Sequence, residues 1–275
     1  MTLSTIRNNP AKQKKVKTKK QKAIAATCAV AFWLLVWHVV SLCVGSELVL
    51  VSPVKVVQTL FTVIFDPDFL KTVWYSAARI LGGFFTALVL GMVLGWVASR
   101  FWVIETLLRP ITAVIKATPV ASFIILVLLW FPGKNLSVII SMLMVFPVIY
   151  MNVLEGIRSA DEKLLEMAQV FRLSVGKKLL YIYLPAVAPF FVSACSVSLG
   201  LCWKSGIAAE VIGTPDGSIG AVFYQAKIFL QTSELLAWTV VVVAVSVAFE
   251  KLFMLLLRLI LKKLKMEDVL NGKRA

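Results

Sequence analysis

The sequence predicts an all-α membrane protein with six transmembrane helices. Of its 275 residues, 60% are hydrophobic and only 16% are charged, and the mean hydropathy is +0.89, whereas soluble domains are about 45–50% apolar and about 25% charged. Leu, Val, Ile and Phe recur in long runs, which favours helices over the alternating strands of a barrel. The length fits six spans of roughly 20 residues with their loops.

Six apolar segments are long enough to be the spans. They cover residues 23–44, 77–98, 107–130, 136–154, 185–203 and 234–253. Between the first two, residues 54–65 are amphipathic and are followed by an Asp-Pro-Asp sequence, which predicts a short helix on the outer surface. In the second span, Gly91 and Gly95 form a small-xxx-small pair, which lets another helix approach closely.

Two segments near the later spans differ from the rest. Residues 206–220 contain four glycines and Pro215, which predicts irregular backbone after the fifth span. Residues 255–264 continue the sixth span as an amphipathic strip. This strip is predicted to lie along the inner membrane surface.

Basic residues are concentrated on one side of the predicted spans. They lie before the first span, after the last, and between the fourth and fifth: Arg7, Lys12, Lys14, Lys15, Lys17, Lys19, Lys20 and Lys22; Arg258, Lys262, Lys263, Lys265, Lys273 and Arg274; and Arg158, Lys163, Arg172, Lys177 and Lys178. Because an excess of Lys and Arg marks the cytoplasmic side, both termini are predicted to be cytoplasmic. The expected organisation is a basic tail (1–22), a membrane domain (23–264) and a second tail (265–275).

The formal net charge of +15 does not by itself indicate a nucleic-acid partner. The basic clusters flank spans, which is typical of topology signals and of contacts with anionic lipid. Lipid contact is therefore predicted, and nucleic-acid binding is not. The four cysteines lie in apolar sequence without metal-type spacing, so no metal site is predicted.

Residues 155–185 form a charged island between two apolar blocks. Asp161 is placed to start a helix, and Glu162, Lys163 and Glu166 are free to face a partner. Residues able to root this helix in the bundle are Leu164, Leu165, Ala168, Val170 and Phe171. Leu184 and Pro185 are predicted to end the island, since proline suits the first position of the next helix. A rigid segment of this kind, packed against the bundle, would let a separate soluble protein transmit force to the membrane helices.

The island resembles the EAA loop of type I ABC importer permeases, and its flanks narrow the resemblance to the sulfonate, taurine, nitrate and thiamine-precursor group. The residues that carry it are Tyr150-Met151-Asn152, Glu155-Gly156-Ile157-Arg158-Ser159, Glu166 with Ala168, and Leu184-Pro185. Other motifs of that group occur in the same order along this chain: Ser52-Pro53, residues 118–131, Ala208-Ala209-Glu210 and Gln231-Thr232. The likeness covers about residues 45–262.

The resemblance implies the type I permease fold and a non-catalytic role in an ATP-driven importer of a small solute, such as a sulfonate, nitrate or a thiamine precursor. It implies separate ABC ATPase subunits, an extracytoplasmic binding protein and a second permease chain, for which a homodimer is the simplest source. The residues implied in ATPase coupling are Glu166, Ala168, Arg172, Gly176, Leu184 and Pro185. Neither Gly133-Lys134 nor Gly176-Lys177 is followed by Ser or Thr, as a nucleotide loop requires. ATP and its magnesium ion are therefore expected on the partner ATPase, with no cofactor on this chain.

Two positions depart from the family pattern. Met167 replaces the first alanine of the loop, and Arg172 stands where a glycine is expected, with Gly176 following later. Because glycine adopts positive φ at little cost, its replacement predicts either a continuous helix or a bend shifted to Gly176.

Ionisable residues within spans are candidates for the translocation pathway, because an unpaired charge is costly in lipid. Lys204, at the predicted end of span five, and Glu210, in the predicted irregular stretch, are the two candidates. A structural Lys204–Glu210 pair, or snorkelling to the interface, is the alternative. Lys204 mildly favours an anionic solute. Lys116, early in span three, is interpreted as reaching the inner interface, where lipid contact is favoured over substrate contact.

Two other classes of function fit the sequence less well. An ion-gradient-driven secondary transporter is the main alternative, but such proteins often show internal repeats and buried acidic relays, which are not evident here. An intramembrane protease would need a nucleophile and a base. The single histidine, His38, lies in span one, and no catalytic residue is predicted.

Overall fold

The computed structural model describes the backbone of residues 19–264 and the side chains of residues 24–264. Within this part the chain is helical, with no strand. The helices are α1 (Lys19–Val44), α2 (Pro53–Ile64), α3 (Phe69–Arg100), α4 (Trp102–Ala117), α5 (Val120–Trp130), α6 (Leu136–Arg158), α7 (Glu162–Val170), α8 (Val175–Lys178), α9 (Leu184–Gly213), α10 (Ile219–Ile228) and α11 (Thr232–Lys263). A 3₁₀ turn (Gly133–Asn135) precedes α6, and a π-helical segment (Leu179–Tyr183) joins α8 to α9. The predicted basic tails lie mostly outside the described residues, which do not include residues 1–18 or 265–275.

Five of the described helices are long and apolar enough to cross a membrane, and the number is six if the bent pair α4–α5 is one span. These helices are α1, α3, α6, α9 with its α8 extension, and α11. The predicted all-α architecture is therefore confirmed. Helices α3 and α11 extend well beyond the predicted spans 77–98 and 234–253.

The chain divides into two compact units, residues 1–55 and 56–275. In the first unit, the Ser41 hydroxyl donates a hydrogen bond to the Leu50 carbonyl oxygen at 3.2 Å, across the turn that follows α1. Gly45 in this turn has a φ of 63°, which glycine adopts without strain. Helix α2 is the predicted short helix before the Asp-Pro-Asp sequence.

Helices α3, α6 and α9 form the core of the second unit. A Cβ at Gly91 would lie 2.8 Å from Ile149 Cγ2, and a Cβ at Gly95 would lie 2.9 Å from Val153 Cγ1. Ile149 and Val153 belong to α6, so α6 is the helix that this glycine pair admits. The close approach predicted from the small-xxx-small spacing is confirmed.

An apolar cluster fills the space between these three helices. Phe84 and Ile80 of α3, Ile149 of α6 and Leu199 of α9 are fully buried members of it. Since lipid tails are as apolar as these side chains, close packing and interhelical hydrogen bonds, rather than removal from water, hold such helices together. The Ser141 hydroxyl of α6 provides one such bond, donating to the Cys202 carbonyl oxygen of α9 at 3.2 Å.

The predicted third span, residues 107–130, is broken. Helices α4 and α5 meet at Thr118 and Pro119 and are bent by 109° relative to each other. Pro119 has no N–H to donate, and its ring disfavours the helical conformation at the preceding residue. Thr118 is accordingly extended, with φ −80° and ψ 133°.

The fifth span is longer at both ends than predicted. The helix runs without a break from Val175 to Gly213, so it does not begin at Pro185. The π-helical segment before Pro185 widens the turn, which relieves the clash between the proline ring and the preceding carbonyl groups. At the other end, irregular backbone is limited to residues 214–218. Gly206 serves packing rather than a turn, because a Cβ there would lie 2.6 Å from Ile80 Cγ1.

The sixth span and the strip after it form one helix, α11. The strip at 255–264 continues the helix as far as Lys263, as predicted, and its place along the inner membrane surface stays a prediction. No glycine or proline interrupts the helix there, and nothing in the local sequence therefore breaks it. Only Ala237, Trp238, Val241 and Leu261 of α11 are buried, so most of its surface is open.

Candidate functional site

The loop 155–185 contains α7, which packs against the bundle through Leu165 and Ala168. Asp161 caps α7 by accepting a hydrogen bond from the Lys163 backbone N–H at 2.9 Å, so the predicted helix start is confirmed. Ala168 is fully buried and packs in a cluster with Ala160 and Ile182. The small side chain of Ala168 lets α7 lie close against the segments that flank it.

The side of α7 opposite Ala168 is open. Glu166 is exposed, and Met167, Val170 and Phe171 are 45%, 79% and 72% exposed. The predicted packing of α7 against the bundle is confirmed at Leu165 and Ala168. It is wrong at Leu164, Val170 and Phe171, which are exposed, because α7 presents only a narrow stripe to the bundle. We call Glu166, Met167, Val170 and Phe171 the docking face, since it combines a carboxylate with large apolar side chains that no described residue covers.

Arg172 ends α7 in a conformation typical of glycine. Its φ is 50°, its N–H donates to the Gln169 carbonyl oxygen at 3.0 Å, and the Leu173 N–H donates to the Ala168 carbonyl oxygen at 2.9 Å. These two bonds form the Schellman motif, which satisfies the last carbonyl groups of a helix. Leu173 also packs in the cluster of Ala168. Both alternatives predicted for Arg172 are therefore wrong: α7 is not continuous with α8, and the bend has not moved to Gly176, which is helical.

We expect Arg172→Gly to stabilise the end of α7. A Cβ in the left-handed region costs about 1 kcal/mol, and glycine avoids this cost. Amide hydrogen exchange of residues 162–173 should slow about fivefold in the variant if it reports opening of this turn. Lys177→Gly, which places glycine within helical α8, is the control and should speed exchange locally. Unchanged or faster exchange in Arg172→Gly would contradict the assignment of strain to this residue.

The other predicted coupling residues lie along the helix that follows. Gly176 is in α8, with open space where a Cβ would stand. Leu184 packs, partly buried, in a cluster with Ala188 and Leu261. Leu184 and Pro185 do not end the loop as predicted, because the helix that begins at Val175 passes through them.

Lys204 lies on the open side of α9. It is exposed, as is Val197 on the same face, and it precedes the end of α9 at Gly213 by more than two turns. The alternative of a Lys204–Glu210 ion pair is wrong for the described residues. Neither residue belongs to the ion pair Lys71–Asp68 or Arg158–Glu105, and the Glu210 carboxylate accepts from the Ser76 hydroxyl instead.

Glu210 is fully buried and binds the start of α10. Its Oε2 accepts hydrogen bonds from the Ser76 hydroxyl at 2.6 Å and from the Gly220 N–H at 3.4 Å. The Ser76 hydroxyl in turn accepts from the Ile219 N–H at 2.9 Å. The first N–H groups of a helix have no partner within the helix, and a carboxylate stabilises this positive end. Glu210 and Ser76 thereby tie α9 and α3 to α10.

The packing around this carboxylate is close. A Cβ at Gly220 would lie 2.2 Å from Glu210 Cβ, so α10 crosses α9 in direct backbone contact. Ser218 completes the cap, since its hydroxyl accepts from the Ala221 N–H at 3.0 Å. The contacts describe Glu210 as the cap of α10. They do not test its predicted role in the pathway, which stays a prediction.

Sequence reasoning missed a polar groove between α4 and α6. The α4 side of this groove is formed by Glu105, Arg109, Thr112 and Lys116, which recur at intervals of four, three and four residues. Facing them, α6 is exposed only at Met151, Glu155 and Arg158, and Arg158 pairs with Glu105. The spacing on α4 was a usable signal, because residues three and four apart share a helix face. Reading residues 107–130 as one apolar span hid it.

The chain was compared with known proteins. Residues 87–266, more than half of the chain, match the family described as "Binding-protein-dependent transport system inner membrane component". The chain is 29% identical over 232 residues, 83% of each protein, to the "Putative aliphatic sulfonates transport permease protein SsuC" of Bacillus subtilis (strain 168). It is 26% identical over 220 residues, 78% of this chain and 80% of the relative, to the "Taurine transport system permease protein TauC" of Escherichia coli (strain K12). It is 26% identical over 214 residues, 74% of this chain and 76% of the relative, to the "Nitrate import permease protein NrtB" of Synechocystis sp. (strain ATCC 27184 / PCC 6803 / Kazusa).

The family match confirms the resemblance inferred from the loop 155–185 and replaces the ion-gradient-driven alternative. Permease subunits of this kind are non-catalytic, multi-pass components of the inner membrane. The chain therefore belongs to the family of binding-protein-dependent transport system inner-membrane components, the permease subunits of type I ABC importers.

Proposed function

We propose that the chain forms the translocation pathway of an ABC importer for a small anionic solute. An extracytoplasmic binding protein delivers the solute, and separate ABC ATPase subunits bind and hydrolyse ATP with its magnesium ion. The ATPase contacts the loop 155–185 at the cytoplasmic surface. The chain contributes no catalytic group and no cofactor site.

The observation that carries this proposal is the docking face on α7. Contiguous apolar side chains exposed to water mark protein interfaces, and a charge such as Glu166 fixes the orientation of a partner. Buried Ala168 and the hydrogen-bonded turn at Arg172 hold α7 against Ala160, just after the end of α6, and against Ile182 in the π-helical segment that leads into α9. A push on the docking face is thus transmitted to two core helices through packed contacts.

A second copy of the chain completes the pathway in this proposal. One docking face serves one ATPase, and a symmetric pair of chains presents two. Lys204 on the open face of α9 would cost several kcal/mol if it faced lipid unpaired. A water-filled path between two copies removes this cost, which supports Lys204 as a pathway residue. Glu210 contributes to the path through α10, the helix that it caps.

The charge of the pathway and the names of the relatives support an anionic solute. The relatives are named for aliphatic sulfonates, taurine, nitrate and, in a further case, bicarbonate. Each of these solutes carries an anionic group. The cation Lys204 on an open face suits such a group better than a neutral thiamine precursor. Anionic lipid is the proposed partner of the basic ends of the chain.

The docking face is tested by Glu166→Lys in the complete transporter reconstituted in proteoliposomes. We expect ATP-dependent uptake to fall about tenfold or more, as expected when a charged contact in an interface is reversed. Radiolabelled taurine, nitrate and an alkanesulfonate serve as probes, each with the loaded binding protein. Because Glu166 is exposed, the amount of inserted protein should not change.

Glu47→Lys is the matched control, since Glu47 is also exposed but lies outside the loop 155–185. This variant should transport normally. Normal uptake by Glu166→Lys and by a folded variant lacking residues 162–173 would exclude the loop as the ATPase contact. Uptake driven by an ion gradient without ATP would exclude the function itself.

A further inference from the structure

We propose that Arg109 and Lys116 form a binding subsite for the anionic solute in the groove between α4 and α6. This inference rests on the proposed function and locates a solute-binding subsite on the translocation pathway. It also revises the interpretation of Lys116 as a lipid contact.

Helix α4 has three distinct faces. Its core-facing residues are Ile104, Leu108 and Ile115, which pack in the clusters of α6. A second face is apolar and exposed, with Val103, Leu107, Ile111 and Val114. A third face carries Glu105, Arg109, Thr112 and Lys116. A membrane helix exposes its apolar face to lipid and turns its charges towards protein or water. The polar face of α4 is therefore the one that faces the groove.

The opposite wall of the groove comes from α6, the most enclosed of the long helices. Its exposed residues, Met151, Glu155 and Arg158, all lie in its second half and on one face. Glu155 and Arg158 are ionisable and belong to the start of the charged island, so this end of the stripe faces water or protein rather than lipid. The polar sides of α4 and α6 thus face each other across the groove.

The groove has room for a small solute. Three adjoining cavities of about 330, 440 and 340 Å³ lie along it, and Met151 borders all three. One of them lies beside Lys116 and Pro147, near the middle of α6. The bend at Thr118 and Pro119 directly follows this end of α4. The groove therefore runs from the ion pair Arg158–Glu105 to the break between α4 and α5.

The charges along the groove favour an anion. Glu105 and Arg158 neutralise each other in an ion pair. Of the remaining groups, Arg109 and Lys116 are cations and Glu155 is the single anion. No carboxylate pairs with either cation in the described part of the chain. Lys116 Nζ instead lies 3.3 Å from Met151 Sδ, a weak acceptor.

An unpaired ammonium and guanidinium beside the apolar surface of a membrane helix need a partner or water. A sulfonate, nitrate or carboxylate oxygen accepts charge-assisted hydrogen bonds from both groups. Arg109 and Lys116 are two helical turns apart on the same face, so a solute can pass from one to the other. The Thr112 hydroxyl between them donates to the Leu108 carbonyl oxygen and does not compete for the solute.

The test uses thiol chemistry at position 116 in inside-out vesicles that contain the complete transporter. The parent carries Cys28→Ser and Cys43→Ser, and buried Cys195 and Cys202 are kept. Lys116→Cys is treated with an anionic reagent, the methanethiosulfonate of ethylsulfonate, and with the cationic trimethylammonium analogue. Each rate is divided by the rate of the same reagent with 2-mercaptoethanol. The anionic reagent is itself an alkanesulfonate, so it also serves as a probe of the solute class.

We expect Lys116→Cys to react about tenfold faster with the anionic than with the cationic reagent. The positive charge of Arg109 stays in the groove and attracts the anionic reagent, and the groove is only partly filled with water. Adding Arg109→Gln should reduce this ratio severalfold. Lys71→Gln, which removes an exposed cation outside the groove, should leave it unchanged. Val114→Cys on the apolar face of α4 should react with neither charged reagent, but with membrane-permeant N-ethylmaleimide.

Two results would overturn the inference. Reaction of Lys116→Cys with N-ethylmaleimide alone would place this side chain in lipid or against a second chain. A ratio near one that does not respond to Arg109→Gln would mean that the groove holds water without selecting anions. Neither result bears on the docking face, which the Glu166→Lys uptake assay tests separately.

Discussion

Gly83→Ala is expected to destabilise the protein, whereas Gly82→Ala, one residue earlier, is expected to stabilise it. A Cβ at Gly83 would lie 2.3 Å from the Val138 carbonyl oxygen and 2.8 Å from Ser141 Cβ. Because α6 backbone cannot move aside locally, the helices must separate, at a cost of about 2–3 kcal/mol. At Gly82 no atom lies within 4 Å of the added Cβ, and alanine gains up to about 1 kcal/mol as a better helix former.

The measurement is the apparent melting temperature of each purified variant in the same detergent. The two substitutions add the same methyl group in adjacent positions, so any general effect of alanine cancels. The shifts should have opposite signs. Equal shifts would show that α3 and α6 do not meet as closely as Gly83 requires.

Glu210→Ala is expected to loosen the attachment of α10 and to abolish transport. The change removes the acceptor of the Ser76 hydroxyl and of the Gly220 N–H in a fully buried place. Leaving buried donors without partners costs roughly 1–3 kcal/mol each. Hydrogen exchange of residues 219–228 should therefore speed by about tenfold or more, together with a lower melting temperature.

Glu210→Gln separates the two interpretations of this residue. The amide oxygen of glutamine can still accept from Ser76 and Gly220, so a capping role predicts nearly normal stability and partial transport. A direct pathway role of the charge predicts normal stability with transport lost. Glu234→Gln, at the start of α11 and only partly buried, is the control and should be close to the parent in both assays. Wild-type exchange in Glu210→Ala would contradict the capping role.

The fold class and the family were predictable from the sequence because they depend on local, additive properties. Hydropathy summed over twenty residues identifies a span regardless of its neighbours. The charged island stands out between apolar blocks for the same reason, and its Asp161 cap depends on residues within one turn. The spacing of Gly91 and Gly95 predicts a close helix contact, although the sequence does not identify the partner helix.

The details of the loop were not predictable, because they depend on competition between contacts. A residue with a Cβ was expected to avoid the left-handed region, yet Arg172 adopts it. The Schellman bonds and the packing of Leu173 beside Ala168 offset that local cost. In the same way, Val170 and Phe171 are apolar enough to pack against the bundle, but Leu165 and Ala168 are the residues of α7 that face it.

The sequence by itself determined that this chain is a helical membrane permease with a polar island between its fourth and fifth spans, since hydropathy and motif order are properties of the chain. Only the tertiary structure decided which polar residues meet. It enclosed Glu210 as the cap of α10, left Lys204 open, and brought Arg109 and Lys116 opposite the exposed stripe of α6. The reason is physical: burial and pairing depend on helices far apart in sequence, whose approach is set by packing between small residues and by one proline break.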